Sequence, residues 1–419
     1  MVNHLPLWSW PWLRGLPSIR RMDTPDDDIF RLDEGEARAW LQAVQRHAAE
    51  IIGLRVQRPE HPMSPDTVRG AIGSLADQGL LNRGQAPAGG LWDDDEDPVQ
   101  RALSLDVLRA VAHHNAGLAL QLHLQALAAR LDRATGLVPA QAGMLSLQGR
   151  HGLGRGAVWP ASQGQPLGPE QATLMADNWA WPTPAAPRLL HALPDWQVLW
   201  LPVWSPLQGW GWHRLTRAEV RVDTLPHSHG LDELHTQAIA CASTTSPRLD
   251  GEQARQAWVR LQALHSLGLQ AISEAVVQLA WAMAREHAAL RRQGGQTILG
   301  HVAVQQLLQQ AYEAVQGSAQ ALAAAVQPRA PWPDLPSRWR DRARCQVALA
   351  HGASAALQVF GGQGYMRDSG LEKAVRDVNH LRLLGGSPSE LRTCVAAWEA
   401  SQPMGWHAGE AALATGLAA

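Results

Sequence analysis

Residues 358–365 read QVFGGQGY, and LEKAVRDVNHLRLLGGSPSE runs from Leu371 to Glu390. Glycines at 361, 362 and 364 let a backbone approach a diphosphate or ribose closely and take positive φ. Taken alone, such a turn is only a tight turn. The residues after it add charge: Glu372, Arg376 and Asp377 form an acidic-x-x-x-basic-acidic run. The stretch then ends in Gly385, Gly386 and Ser387, where no carboxylate stands. Other constellations are thinner. His227 with His229, and His113 with His114, lack the companion ligands of a metal site, so no metal is expected. No GxSxG, P-loop or HExxH pattern occurs.

The elements that must hold this chemistry are legible as zones. The chain has 419 residues, enough for two or three domains. Apolar residues make up 46% and charged residues 18%, which predicts an ordered globular protein. With 36 basic against 38 acidic side chains, a surface built to coat nucleic acid is excluded. The three cysteines, Cys241, Cys345 and Cys394, are far apart, which argues against a disulfide framework and for a reducing, cytoplasmic setting. The first 23 residues carry three prolines and no continuous apolar core, so they do not read as a signal peptide. No run of 18 apolar residues predicts a membrane span. Trp8, Trp10 and Trp12 are expected on a domain surface or at a subunit contact. Tryptophan usage is unusual, with 19 Trp against 2 Phe and 2 Tyr, and no physical reason for it is visible in the sequence.

Residues 26–135 carry helical apolar spacing in EGEARAWLQAVQRHAAEIIGL and in PVQRALSLDVLRAVAHHNAGLALQLHLQALAARL, with Asp97-Pro98 as a helix start. Residues 136–247 turn rich in Gly, Pro and Trp, and WQVLWLPVW and RAEVRVDTLP read as strands. Residues 248–400 are helical again. One proline-free pattern there runs for about 40 residues, about 60 Å of helix, and long helices with short breaks predict an up-and-down bundle. The fold class is mainly α with a middle β domain.

This order, together with the C-terminal motifs, resembles the acyl-CoA dehydrogenase family. The resemblance implies an N-terminal helical domain, a small β domain and a C-terminal four-helix bundle, with FAD where the domains meet a dimer partner. QVFGGQGY matches the family's Gln-x-x-Gly-Gly-x-Gly-Tyr, which assigns Gln358, Gly361, Gly362 and Gly364 to the FAD of a neighbouring subunit. LRRQGG matches its Arg-x-x-Phe-Gly, so Arg291 or Arg292 is expected at the FAD diphosphate, with Gly294 in place of the Phe. A helix end using cations against its dipole would explain the same arginines. His301 stands where relatives often carry His. Trp181 and Thr183 match the family's flavin-covering strand, and VWPASQGQP is the nearest stretch to its flavin-covering loop.

The family's reaction is α,β-dehydrogenation of an acyl thioester, with a carboxylate removing the α-proton. By the spacing from Arg376-Asp377, that carboxylate's position falls on Gly385, while Ser387 could replace a neighbouring Thr hydroxyl at the cofactor. Glu390 is expected to be a helix N-terminal charge. Some relatives carry the base on the first long bundle helix, which here corresponds to His265; an imidazole could serve, or could simply pack. The Arg that contacts the CoA adenosine in relatives has no direct counterpart, and Arg260 lies over one turn earlier. The resemblance therefore implies a FAD-dependent, acyl-CoA dehydrogenase-like protein using a substitute base, or the base-deficient subunit of a heteromer. The alternative is a catalytically inactive assembly paralogue. Implied partners are an acyl thioester of CoA, further subunits in a homo- or hetero-oligomer, and an electron-transfer protein.

Overall fold

The computed structural model describes residues 34–50, 61–77, 90–140, 142–154, 157–226 and 228–402. Trp8, Trp10, Trp12 and His227 lie outside them. Helices α1 (Glu34–Ala48) and α2 (Pro65–Asp77) precede α3 (Pro98–Ala112), which begins as expected: Asp97 accepts from Val99 N at 2.9 Å with proline in the first turn. The single pattern read from Pro98 onward splits in two. Asn115 accepts from Leu118 N at 2.8 Å, caps α4 (Ala116–Ala134) and so ends the first helix.

The middle of the chain holds β1 (Gly143–Leu145), α5 (Val158–Ser162), α6 (Pro169–Asn178) and β2 (Arg188–Ala192). Five more strands come next: β3 (Val198–Ser205), β4 (Gly209–Thr216), β5 (Val220–Thr224), β6 (His235–Cys241) and β7 (Leu249–Asp250). They build two sheets, ordered β1-β3-β4-β7 and β2-β6-β5. The strand read over 217–226 is shorter than its pattern. Glu219 accepts from Thr216 N and Oγ1, both at 2.7 Å, winding 217–219 into a 3-10 turn before β5 begins. The β pattern also hid α5 and α6, the latter started by Pro169.

The bundle is α7 (Gly251–Leu290), α8 (Val302–Ala325), α9 (Leu335–Phe360), α10 (Leu371–Leu381) and α11 (Pro388–Ser401). A short hairpin, β8 (Arg292–Gln293) and β9 (Gln296–Thr297), joins α7 to α8. The helix α7 packs on α3, α4, α8, α9 and β4, and is buried without a break from Leu261 to Val277. One of its buried carboxylates is tied to a neighbouring helix. Arg109 of α3 donates to Glu274 and Asp106, each at 3.0 Å. By length and composition α7 could cross a membrane, yet 72% of its most apolar window is buried against the rest of the protein.

Part of the tryptophan bias acquires a reason in the core. Buried indoles act there as hydrogen-bond donors as well as bulk: Trp92 to His123, Trp196 to Gln237, Trp200 to Asp132, Trp210 to the Ala161 carbonyl and Trp212 to the Ala254 carbonyl. Phenylalanine would fill the volume but supply none of those donors.

Candidate functional site

The glycine turn and Arg291, 67 residues apart between Arg291 and Gln358, meet at one open cavity of about 800 Å³. Its walls include Arg291, His301, Gln358, Phe360, Gly361 and Gly362. Helix α9 ends at Gly361, whose φ of 58° lets the chain turn. A Cβ on Gly361 or Gly362 would meet nothing within 4 Å, so the backbone faces free space. Gly364 is glycine for another reason: a Cβ there would lie 2.6 Å from the Leu357 carbonyl oxygen, so it serves the packing of the turn beneath the cavity.

The two arginines diverge at the helix end. Arg291 caps α7 and lines the cavity. Arg292 enters β8 and donates to the Gly295 carbonyl at 3.2 Å. Gly294 has φ 61° and turns the hairpin, and His301 Nε2 donates to the Gln293 carbonyl at 3.2 Å. His287 stacks on Phe360 at 4.1 Å, its pKa lowered by burial first and by the Arg291 charge next. The cavity thus offers a guanidinium, imidazoles, an amide and two bare glycines.

The acidic-basic run does different work. Arg376 is held by Glu372 and by Asp232, each at 2.6 Å, and Lys373 by Asp377 at 2.7 Å and Glu233 at 3.2 Å. Asp377 also accepts from Leu231 N at 2.7 Å, and His380 Nδ1 donates to the Gly230 carbonyl at 2.9 Å. Burial opposes the Lys373 ammonium, but Asp377 and Glu233 outweigh it and raise its pKa. This network fastens the loop before β6 onto α10. Its ion pairs, unlike the motif alone, reveal a joint between the β region and the bundle.

Position 385 is a second locus. His265 is buried, its Nδ1 lies 3.1 Å from Nε2 of His123, and burial followed by the charges on His123 and Arg342 lowers its pKa well below the ordinary value. Gly385 has φ 59°, and Arg342 donates to the carbonyls of Leu384, Gly385 and Gly386. Arg342 is itself pulled down to about 9 by burial. No sequence signal pointed to His123 or Arg342; they reach this turn from α4 and α9 only through the fold. Ser387, expected at the cofactor, caps α11: its Oγ accepts from Glu390 N at 3.3 Å, and Glu390 accepts from Ser387 N at 2.9 Å. Glu390 also accepts from Leu153 N at 2.9 Å, so the helix N-terminal role expected of it is the one it has.

Trp181 and Thr183 stand apart from both loci. Trp181 meets His213 edge-on at 4.8 Å, and its buried Nε1 finds no hydrogen-bond partner among the described residues. Thr183 is exposed and bridges Ala186. The expected flavin-covering stretch at 158–166 begins as α5, with Trp159 buried against Trp339 and Trp398. Beside it Trp210 of β4 stacks on Trp258 of α7 at 4.7 Å, and Trp179 closes on both edge-first. At these indoles the β region and the bundle touch directly. Among the described residues no group of three or more His, Cys, Asp or Glu is arranged to hold a metal ion.

A helical N-terminal part, a β middle and a long-helix bundle with a glycine cradle at its end define the acyl-CoA dehydrogenase fold. The similarity extends over nearly the whole chain. Butyryl-CoA dehydrogenase of Megasphaera elsdenii superposes with a TM-score of 0.65 at 15% identity, over 90% of this chain and 100% of that one. A putative acyl-CoA dehydrogenase of Mycobacterium smegmatis gives 0.67 at 16%, over 90% and 100%. Glutaryl-CoA dehydrogenase of Mycobacterium smegmatis gives 0.67 at 13%, over 89% and 96%. No curated protein matches the sequence. Residues 264–400 match the family described as acyl-CoA dehydrogenase, C-terminal domain. Residues 264–400 are thus similar to that family's C-terminal domain, and the chain as a whole has the family's fold.

Proposed function

We propose that this chain is a base-deficient subunit of acyl-CoA dehydrogenase type, which lends its helix-end cradle to the FAD of a partner chain. The observation that carries this is the convergence of Arg291, Gln358, Gly361 and Gly362 on one open cavity. Those residues suit the diphosphate half of FAD. Arg291 supplies the countercharge, the bare glycines admit the ligand against the backbone, and Gln358 offers an amide for hydrogen bonding. FAD, when bound, supplies the hydride acceptor of the family's chemistry.

The ring half of FAD does not fit this chain in the same way. The Trp210–Trp258 stack occupies the joint between the β region and the bundle, where the resemblance places the flavin. His265 is a poor candidate base: it is enclosed, bonded to His123, and disfavours a proton at neutral pH. Proton abstraction from an acyl-CoA thioester, and electron delivery to an electron-transfer protein, then belong to the partner chain. The same closed joint favours a second reading, an assembly scaffold whose cradle holds no nucleotide.

Calorimetric titration of the purified chain with ADP and with FAD tests this. Equal affinity for both, unquenched flavin fluorescence and weakened binding in Arg291→Ala are expected. A yellow protein whose flavin bleaches with acyl-CoA would overturn the base-deficient assignment. Failure to bind either nucleotide would overturn the cradle and decide for the scaffold.

A further inference from the structure

His123 of α4 and His265 of α7 have nearly parallel rings, with ring planes 2° apart and centroids 5.3 Å apart. Their hydrogen bond has a direction, and Trp92 sets it. The indole N–H can only donate, and it donates to His123 Nδ1 at 3.0 Å. A neutral His123 must then carry its proton on Nε2 and donate to His265 Nδ1 at 3.1 Å. That leaves the His265 proton on Nε2, the atom nearest to Gly385 among the ring nitrogens.

Two glycines make room for the two rings. A Cβ on Gly268 would stand 2.7 Å from both ring nitrogens of His123. A Cβ on Gly385 would stand 2.6 Å from His265 Cδ2 and 3.0 Å from Nε2. Both separations are too short for real side chains, so the imidazole denies each glycine a side chain, and at Gly385 the φ of 59° adds a second reason.

We propose that Gly268 and Gly385 co-adapt with the Trp92–His123–His265 relay, and that His265 presents a fixed Nε2–H donor where a carboxylate would stand in an active relative. The polarity of the position is thereby reversed. A carboxylate there would accept a proton, whereas Arg342 donates to the carbonyls of 384–386 and the Nε2 edge of His265 lies against Gly385. His265 is a positioning residue for that turn. The titratable groups facing it are His123 from α4 and Arg342 from α9, and both oppose a second proton on its ring. This assignment rests on the base-deficient part of the proposed function, but its test needs neither nucleotide nor partner.

Histidine ¹⁵N NMR on the full-length protein reads the tautomers directly. Both rings are expected as neutral Nε2–H forms at pH 7, still neutral at pH 5.5, and Trp92→Phe is expected to add a second tautomer population. An imidazolium at neutral pH, or a proton on His265 Nδ1, would overturn the proposal. A double-variant cycle on melting temperature gives a second route. Gly385→Ala is expected to lower it, and to lower it less when His265→Ala is already present. Strictly additive shifts would overturn the steric pairing even if the tautomers were as expected.

Discussion

Trp210 on β4 and Trp258 on α7 stack with centroids 4.7 Å apart and ring planes 21° apart, joining the sheet to the longest helix of the bundle. Both indoles are buried, and Trp179 and Trp339 close the cluster around Trp258. Trp258→Ala should therefore leave a cavity and cost about 3–5 kcal/mol. Urea unfolding measures the loss, and near-ultraviolet circular dichroism should lose its indole coupling signal. A loss below about 1 kcal/mol would mean that the two regions are not joined here.

Arg291 and Arg292 are neighbours with different surroundings. Arg291→Ala should weaken ADP binding roughly 10- to 100-fold, the worth of charge-assisted hydrogen bonds to a phosphate. Arg292→Ala should leave it within about twofold, since that side chain is spent on the Gly295 carbonyl. Titration calorimetry on the two variants separates them.

The glycines of the cradle should separate in the same manner. Gly364→Ala forces a methyl toward the Leu357 carbonyl and should cost about 1–3 kcal/mol in stability. Gly362→Ala meets open space and should leave stability within about 0.5 kcal/mol, while obstructing the nucleotide.

Lys373 holds two buried carboxylates, Asp377 and Glu233. Lys373→Met leaves both without their cation and should cost about 3–5 kcal/mol. Limited proteolysis should then cut the freed loop before β6. A neutral result would place the joint's strength in Arg376 and Asp232 instead.

Acid should destabilise the protein well before its carboxylates titrate normally. Burial lowers His123 and His191 to about 3, and His114 and His213 to about 4. Their unfolded forms take up protons near pH 6.5, so this stability is complete above that value and falls as pH drops toward the folded values. Asp106, raised to about 6 by burial against the pull of Arg109, acts oppositely: its contribution is present below its unfolded value and lost as pH rises through 6. With His113, His265, His287 and His380 also lowered, and only Glu274 and Asp377 joining Asp106 among the raised carboxylates, the histidines outweigh them, so denaturant midpoints should decline from about pH 6.5 to about pH 4. A flat profile would show that the imidazoles reach solvent.

The sequence by itself determined the order of α, β and α regions, the unbroken course of α7, the start of α3 at Asp97-Pro98 and the glycine turn after α9. Those features depend on local rules: apolar periodicity, the missing N–H of proline, and the positive φ open to glycine. The break at Asn115 was also local but was hidden inside a continuous apolar pattern, because a capping side chain does not disturb that pattern. Only the tertiary structure decided which arginine faces the cavity, that Ser387 and Glu390 cap a helix, and that the acidic-basic run is a joint. It alone showed what packs against the glycine at position 385. The imidazole that fills its space comes from 120 residues earlier in the chain, and its tautomer is set by an indole at position 92. Contacts across such distances leave no periodic trace, because they are fixed by packing between elements rather than by the geometry within one.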